Sequence, residues 1–389
     1  MIALAKIIDN RTSATGEPIF ATYLHSKAKQ LGLPLSGTFE LTPRCNFNCK
    51  MCYIHSSDCN SLAEREISAE KWIELGKRVK EAGTVFLLLT GGEPLMRKDF
   101  PHIYKSLNEM GFILSVNTNG SLITDEFFEL FRAYPPHRLS ISLYGASNET
   151  YASLCENEKF DEVIKNIKRL KEAGIQLKIN CSLTPYNCDD AEKIVKISKE
   201  IGVNIKIATY MYPPLRKNDD NTGINSGRFT AFEGAYHKVR CDLMKNGKEK
   251  FIERAQQLKS GIYLSERECV EPPEEGEESH CRAGITTFWI DWQGNMSPCG
   301  MIPDDEYNVF EREFAECWEK TREKAGRIRM PAECTSCKYK TFCHVCAAAC
   351  LCETGEYSKK PEYICEFSRN VAEIMEKEAE KLRSKKNGD

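Results

Sequence analysis

Residues 37–53 read GTFELTPRCNFNCKMCY, a strand-type run that passes straight into three cysteines. Cys45, Cys49 and Cys52 are separated by gaps of three and two residues. Thiolates are soft ligands and select zinc or iron–sulfur. Structural zinc takes four ligands, typically from two C-x2-C pairs. Here C-x3-C-x2-C stands alone, and the next cysteine, Cys59, follows at a spacing of no special meaning. Three thiolates on a four-iron cluster instead leave one iron without a protein ligand, the logic of an open catalytic site.

The same strand-then-helix unit recurs outward from GTFELT. Strands are expected at 37–42, 85–90 (VFLLLT), 113–117 (ILSVN), 139–143 (LSISL), 177–183 (LKINCSL) and 205–208 (IKIA). They are apolar and β-branched, as strands covered on both faces should be. Between them run amphipathic helices such as 160–173 (FDEVIKNIKRLKEA), several stopping at a glycine: Gly83, Gly111, Gly174 and Gly202. Six alternations imply an α/β fold, a partial (β/α)6 TIM-like barrel. Such barrels place their chemistry in the loops after the strands, so the cysteine triplet belongs at the mouth.

After residue 208 the pattern fails at TYMYPPLRKNDDNTG, and a helical stretch, 229–258, and an acidic turn, EPPEEGEESH, follow. From Cys281 cysteine density rises and helix periodicity is lost, as in a small cluster-stapled domain. The expected organisation is an N-terminal helical extension (1–36), the barrel (37–208), a helical linker (209–280), a C-terminal cysteine-rich iron–sulfur domain (281–367) and a charged amphipathic helix packed along one face (368–389).

Bulk composition narrows the function. A net charge of −3 over 389 residues lacks the basic footprint of a general nucleic-acid binder. No apolar run reaches the length of a membrane span. The opening MIALAKIIDNR, interrupted by Lys6 and Asp9, lacks a secretory signal. The expectation is a cytoplasmic protein with neither nucleic-acid nor membrane partners. Nineteen cysteines are then the anomaly. Disulfides are rare in reducing compartments, and the chain is long enough to bury a core without them, which leaves metal ligation.

C-x3-C-x2-C after the first strand of a parallel barrel resembles the radical S-adenosylmethionine (SAM) superfamily. The resemblance covers residues 37–208. It implies a four-iron, four-sulfur cluster on Cys45, Cys49 and Cys52 whose open iron chelates SAM. One-electron reduction then releases a 5′-deoxyadenosyl radical that abstracts hydrogen from a substrate. Tyr53 stands where the family often has an aromatic. Strand two ends in TGGEP, residues 90–94, the loop that in the family touches the SAM amino group. Gly91 and Gly92 permit close backbone approach, and Glu93 can complement an ammonium. Strand four carries Ser142 where the family has the serine of SLDG, with Tyr144 replacing the aspartate. Asn117 and Asn119, at the end of strand three, can reach the ligand or cap a turn.

The second cysteine field reads C-x12-G-x4-C through Cys281, Gly294 and Cys299, then Cys334, Cys337, Cys343, Cys346, Cys350, Cys352 and Cys365. It resembles the SPASM domain appended to radical SAM enzymes, which implies two auxiliary four-iron clusters. One would be held by Cys334, Cys337, Cys343 and Cys365. The other would be held by Cys281, Cys299 and Cys346, with Cys350 as the alternative to Cys346 because Ala347 fills the family's cysteine position. Its fourth ligand is Cys269, Cys350 or a substrate group. A zinc ribbon is the alternative for this field. The remaining cysteines read as buried small hydrophobes, with Cys181 in strand five the one whose direction would allow it to donate a hydrogen atom.

SPASM enzymes act mostly on peptides. The resemblance implies maturation of a ribosomally made peptide or small protein, by thioether formation, crosslinking or epimerisation. An electron donor such as flavodoxin or ferredoxin is implied; since only 36 residues precede the first strand, leader recognition would need a separate leader-binding protein, the 209–280 segment, or no leader at all. Sulfatase maturation is disfavoured because Gly300 follows Cys299 where that subclass has an aspartate base. The alternatives are radical oxidation of a small molecule, with Tyr210, Tyr212 and Arg216 at the mouth as its contacts, and a non-enzymatic electron-transfer protein.

Overall fold

The computed structural model describes residues 19–54, 59–215, 221–259 and 281–384, apart from 335, 341, 342 and 344. Cys269, Arg216 and the acidic turn at 271–280 lie outside the described residues.

Six strands follow one another in chain order: β1 (Ser36–Glu40), β2 (Phe86–Thr90), β3 (Ile113–Thr118), β4 (Arg138–Ser142), β5 (Leu177–Ser182) and β6 (Ile205–Ala208). Each pairs in parallel with the next, starting with Ser36 opposite Phe86 and ending with Ser182 opposite Ala208. The intervening helices are α2 (Ala69–Glu81), α3 (Phe100–Glu109), α4 (Asp125–Ala133), the pair α5 (Asn148–Cys155) and α6 (Phe160–Glu172), and α7 (Ala191–Ile201). An N-terminal helix, α1 (Ile19–Leu31), precedes them. Ser68, Thr124 and Ser147 accept hydrogen bonds from the first-turn N–H groups of α2, α4 and α5, satisfying donors that a helix start leaves orphaned. The four glycines expected to end helices all have positive φ.

The strands are not apolar on both faces. Phe39, Leu87, Leu89, Val116, Ile141 and Ile179 lie in one core with Trp72, Leu75, Phe100, Phe131, Ile167 and Ile194 of the helices. The alternate positions, which point to the opposite face, hold Thr38, Glu40, Asn117, Ser140, Ser142 and Asn180, while β2 keeps Phe86 and Leu88 there. A barrel whose interior receives a polar ligand needs such a face, and only its helix-covered side need be apolar.

Two features of the C-terminal half depart from expectation. Strand β7 (Thr287–Ile290) joins the barrel sheet in parallel beside β1, with Ser36 opposite Thr287, and β8 (Met296–Ser297) extends it antiparallel. Trp289 of β7 donates from Nε1 to Glu40 of β1 at 3.0 Å. The cysteine-rich region also contains regular helices, α9 (Phe314–Arg327) and α10 (Ala347–Thr354). Between β6 and β7 runs α8 (Ala231–Lys259), interrupted at Gly247. The last helix, α11 (Glu362–Ser384), starts before residue 368, so Cys365 sits inside its first turn. It packs on α8 through Val239, Phe251, Ala255, Met375 and Ala379.

Candidate active site

The loop leaving β1 carries Cys45, Cys49 and Cys52, all half-buried. Arg97, only 2 % exposed, holds the start of this loop by donating to the carbonyl of Leu41 at 2.8 Å, and it also binds the carbonyl of Ile67 and the carboxylate of Asp99. Arg44 pairs with Glu66 at 2.7 Å, and Thr42 also hydrogen-bonds Glu66. Asn46 accepts from Asn119 Nδ2 at 2.8 Å and donates to Ser121 at 2.9 Å. The loop is therefore fixed from two sides before any ligand arrives, as a preorganised site requires.

The TGGEP loop braces the same structure. The N–H of Gly92 donates to Thr42 O and that of Glu93 to Arg44 O, both at 2.8 Å. A Cβ on Gly91 would stand 2.6 Å from Thr42 O, and one on Gly92 2.3 Å from Arg44 O. The close approach these glycines permit is thus to the cysteine loop's own backbone. Glu93 likewise differs from expectation. It is fully buried and accepts from Thr118 Oγ1 (2.8 Å), Leu95 N (3.1 Å) and Asn119 N (2.6 Å). Burial raises its pKa to about 7 against these hydrogen bonds, which lower it. Its carboxylate ties the loops after β2 and β3 together, and no part of it is open to an ammonium.

Asn119 is committed to the Asn46–Ser121 network. Asn117 is half-buried and makes no side-chain hydrogen bond among the described residues, which leaves its amide for a ligand. Ser142, at the end of β4, is half-buried. Burial, then the nearby Cys49, push the Tyr144 phenol up. Tyr144 therefore packs toward the cysteine loop in the place of the family's aspartate. Cys181 is 2 % exposed within the helix-covered core, so it faces away from the barrel interior and the hydrogen-donor role is withdrawn.

The donor set fits a cluster. Burial, then Glu93, push the Cys45 thiol up. A hydrogen bond with buried Cys155, then burial, does the same for Cys49. Thiols so placed ionise when a metal supplies the positive charge. Among the described residues no three His, Cys, Asp or Glu side chains converge as one metal ion would need; the thiolates of a multi-iron cluster sit on separate irons and stand further apart. Cys59 aside, the cysteines within the described residues are free thiols.

Further along, Cys281, Cys299 and Cys346 line a single cavity of about 240 Å³ whose walls include Ile285, Ile302, Ile328, Ala347 and Ala348. Cys346 and not Cys350 borders this cavity. Cys350 is fully buried, its thiol pushed up by burial, then by Cys334 and Cys346. Cys334, raised to about 11 by burial, feels Cys365, Cys343 and Cys337 in turn, so these four share one neighbourhood. Ser368 Oγ donates to Cys343 Sγ at 3.2 Å. Buried Cys352 was not singled out from the sequence. Burial, then Cys346, push its thiol up to about 12, and Cys299 adds to the shift.

Tyr53 packs with Tyr212, Leu215, Cys299 and Cys346 around Met301, Ile302 and Cys352. The aromatic after the cysteine triplet thus touches the cluster of side chains that flanks the second cysteine group. Tyr210, expected to face substrate, donates to Glu353 at 2.7 Å. Glu353 also pairs with Arg228, which lies over the Tyr363 ring. The loop after β6 is therefore braced at Tyr210.

Residues 39–212 match the Radical SAM superfamily. These residues form a radical SAM domain. The chain is 27 % identical over 336 residues to the AdoMet-dependent heme synthase of Methanosarcina barkeri, 84 % of this chain and 94 % of that protein. It is 31 % identical over 178 residues to a probable GTP 3′,8-cyclase of Saccharolobus islandicus, 45 % of this chain and 56 % of that protein. Streptococcus suis SuiB bound to precursor peptide SuiA superposes with TM-score 0.63 at 18 % identity, covering 90 % of this chain and 80 % of that one. Native anSMEcpe with bound AdoMet and Cp18Cys peptide gives 0.64 at 17 % identity, covering 90 % and 99 %. At these identities the structural likeness is one of fold.

Proposed function

We propose that the chain is a radical SAM enzyme that carries a SPASM-type auxiliary-cluster region and modifies a peptide or small protein by forming a thioether or crosslink or by epimerising a residue. The observation that carries the reading is the fusion of the cysteine-rich region into the barrel through β7. Its support from outside is the overlay of 90 % of the chain on SuiB and on anSMEcpe, whose structures hold a precursor peptide and Cp18Cys.

Cys45, Cys49 and Cys52 would hold the first cluster. Asn117, Ser142, Tyr53 and the backbone of Gly91 and Gly92 would frame SAM. Cys281, Cys299 and Cys346 would hold one auxiliary cluster, and Cys334, Cys337, Cys343 and Cys365 the other. When bound and reduced, the first cluster with SAM supplies a carbon radical that takes a hydrogen atom from the substrate. The chain supplies placement. Arg97, Glu93 and Asn119 fix the cysteine loop against β2 and β3, and the polar barrel face receives the ligand. Electrons would come from a flavodoxin or ferredoxin in the cytoplasm, and a separate protein would present the peptide leader.

The test is anaerobic incubation of reconstituted enzyme, SAM and reductant in heavy water with a small-peptide extract of the source organism. A peptide lighter by about two hydrogens means a crosslink or thioether; one heavier by about one deuterium means epimerisation. SAM cleavage with every peptide unaltered would overturn the reading. A second reading, radical oxidation of a small molecule, is favoured by the likeness to the heme synthase along nearly its whole length. Haem appearing in a small-molecule extract treated the same way would select it.

A further inference from the structure

Tyr212 contacts a cysteine of the second group directly and is linked to the loop of the first through Asn225. Its hydroxyl is 3.8 Å from the Sγ of Cys346. Its carbonyl accepts from Asn225 Nδ2 at 2.6 Å, and the same Nδ2 is 3.5 Å from the carbonyl of Met51, between Cys49 and Cys52. Asn225 is itself fixed, since its Oδ1 accepts from Gly227 N at 2.8 Å. Gly227 presses on the cysteine loop so closely that a Cβ there would stand 2.6 Å from Met51 Cα. From behind, the Tyr210 ring packs edge-on at 4.9 Å, and the Tyr210 hydroxyl is held by Glu353. The ring of Tyr212 thus has neighbours on each side, and its hydroxyl is aimed at one sulfur.

We propose that Tyr212 is a positioning residue that raises the reduction potential of an auxiliary cluster on Cys281, Cys299 and Cys346, and that Asn225 couples its position to the loop of the first cluster. The inference rests on the reading that these three cysteines hold such a cluster. A ligand thiolate is an acceptor, so the phenol must be the donor. A hydrogen bond to a cluster sulfur withdraws negative charge and stabilises the reduced state. The environment around it is otherwise apolar, with Met301, Ile302 and Ala348, and in such surroundings a single hydrogen bond weighs more than in water. With Tyr212 in place, a cluster held by these three cysteines would be easier to reduce by an electron released by the substrate.

The experiment is a redox titration by electron paramagnetic resonance on the full, anaerobically reconstituted chain, as wild type, Tyr212→Phe, Asn225→Ala and Cys299→Ala, with iron and sulfide counted in each. Cys299→Ala is expected to lose about four irons. Tyr212→Phe keeps the ring and its packing. It is expected to retain the wild-type iron count and to shift one auxiliary midpoint to lower potential, leaving the first cluster's midpoint in place. Asn225→Ala is expected to move the same auxiliary midpoint in the same direction by a smaller amount. An unchanged auxiliary midpoint in Tyr212→Phe, with iron lost in Cys299→Ala, would overturn the inference alone. A fall in iron content in Tyr212→Phe would make the residue a packing element and also overturn it. No loss of iron in Cys299→Ala would remove the cluster itself, and with it both the inference and the auxiliary-cluster reading.

Discussion

The barrel and the cysteine-rich region are held together by different means. Around β1–β6 the apolar side chains form one continuous core that includes the large fully buried residues Trp72, Tyr104, Phe100 and Phe131. Each such side chain contributes roughly 1.5–3 kcal/mol of burial free energy. Within residues 299–357, Val309, Phe314, Cys317 and Trp318 belong to that same core, whereas Met301, Ile302, Ile328, Ala347, Ala348 and Cys352, three of them small, form a separate cluster. So small a core rarely sustains itself, and metal ligation is the usual supplement. The barrel, together with β7 and α9, thus rests on apolar packing, while the surroundings of Cys299 and Cys346 have little of it and would take more of their order from a bound metal group.

The largest expected effect separates the two halves by activity. Cys45→Ala should abolish production of 5′-deoxyadenosine from SAM, read by chromatography. Cys365→Ala should spare that cleavage and block substrate modification. Full product from Cys365→Ala would show that the second cysteine group does not serve the reaction.

Chelating the iron under anaerobic conditions tests the same contrast in stability. Amide hydrogen exchange should lose protection across 328–357 and keep it in β1–β6 and α9. Equal loss in both halves would erase the distinction.

Within the barrel, Gly92→Ala places a methyl against the carbonyl of Arg44, a backbone atom that cannot swing aside. It should cost roughly 3 kcal/mol or more in urea unfolding. A change under 1 kcal/mol would mean that the two loops separate easily.

Glu93 gives a pH signature. Its folded pKa, about 7, lies above the ordinary 4.5, so the folded chain holds this proton more tightly than the unfolded chain. Its stabilising share is present in full below pH 4.5 and is lost as pH rises toward 7, about 3 kcal/mol in all. Comparing wild type with Glu93→Gln across that window should show the slope in the wild type only; parallel curves would mean the carboxylate is ionised throughout. The smallest expected effect is Thr124→Ala, which removes the cap of α4 and should cost about 1 kcal/mol.

The barrel was legible because its signals are local. Strand and helix periods, the four terminal glycines and the spacing of Cys45, Cys49 and Cys52 all lie within a few residues of what they specify. Arg97 was not, since its partners Leu41 and Ile67 are 56 and 30 residues away. β7 is four residues long and pairs with a strand about 250 positions earlier, so no local pattern names its neighbour. The spacing of Phe314, Cys317, Trp318 and Thr321, all on the buried face of α9, was readable as a helix, but the surrounding cysteines drew the reading toward an irregular domain. For Glu93 the sequence supplied the residue without the direction it faces, which only the hydrogen bonds of Thr118 and Asn119 reveal.

The parallel seat of β7 beside β1 bears on how this protein can be rebuilt. A chimera that swaps everything after residue 208 for another enzyme's C-terminal half would also replace the flank of the strand that presents the first three cysteines, and would take Trp289 away from Glu40. The cysteine-rich half is therefore not an interchangeable cartridge. A donor half will support SAM cleavage only if it brings a strand that docks on β1 in the same register.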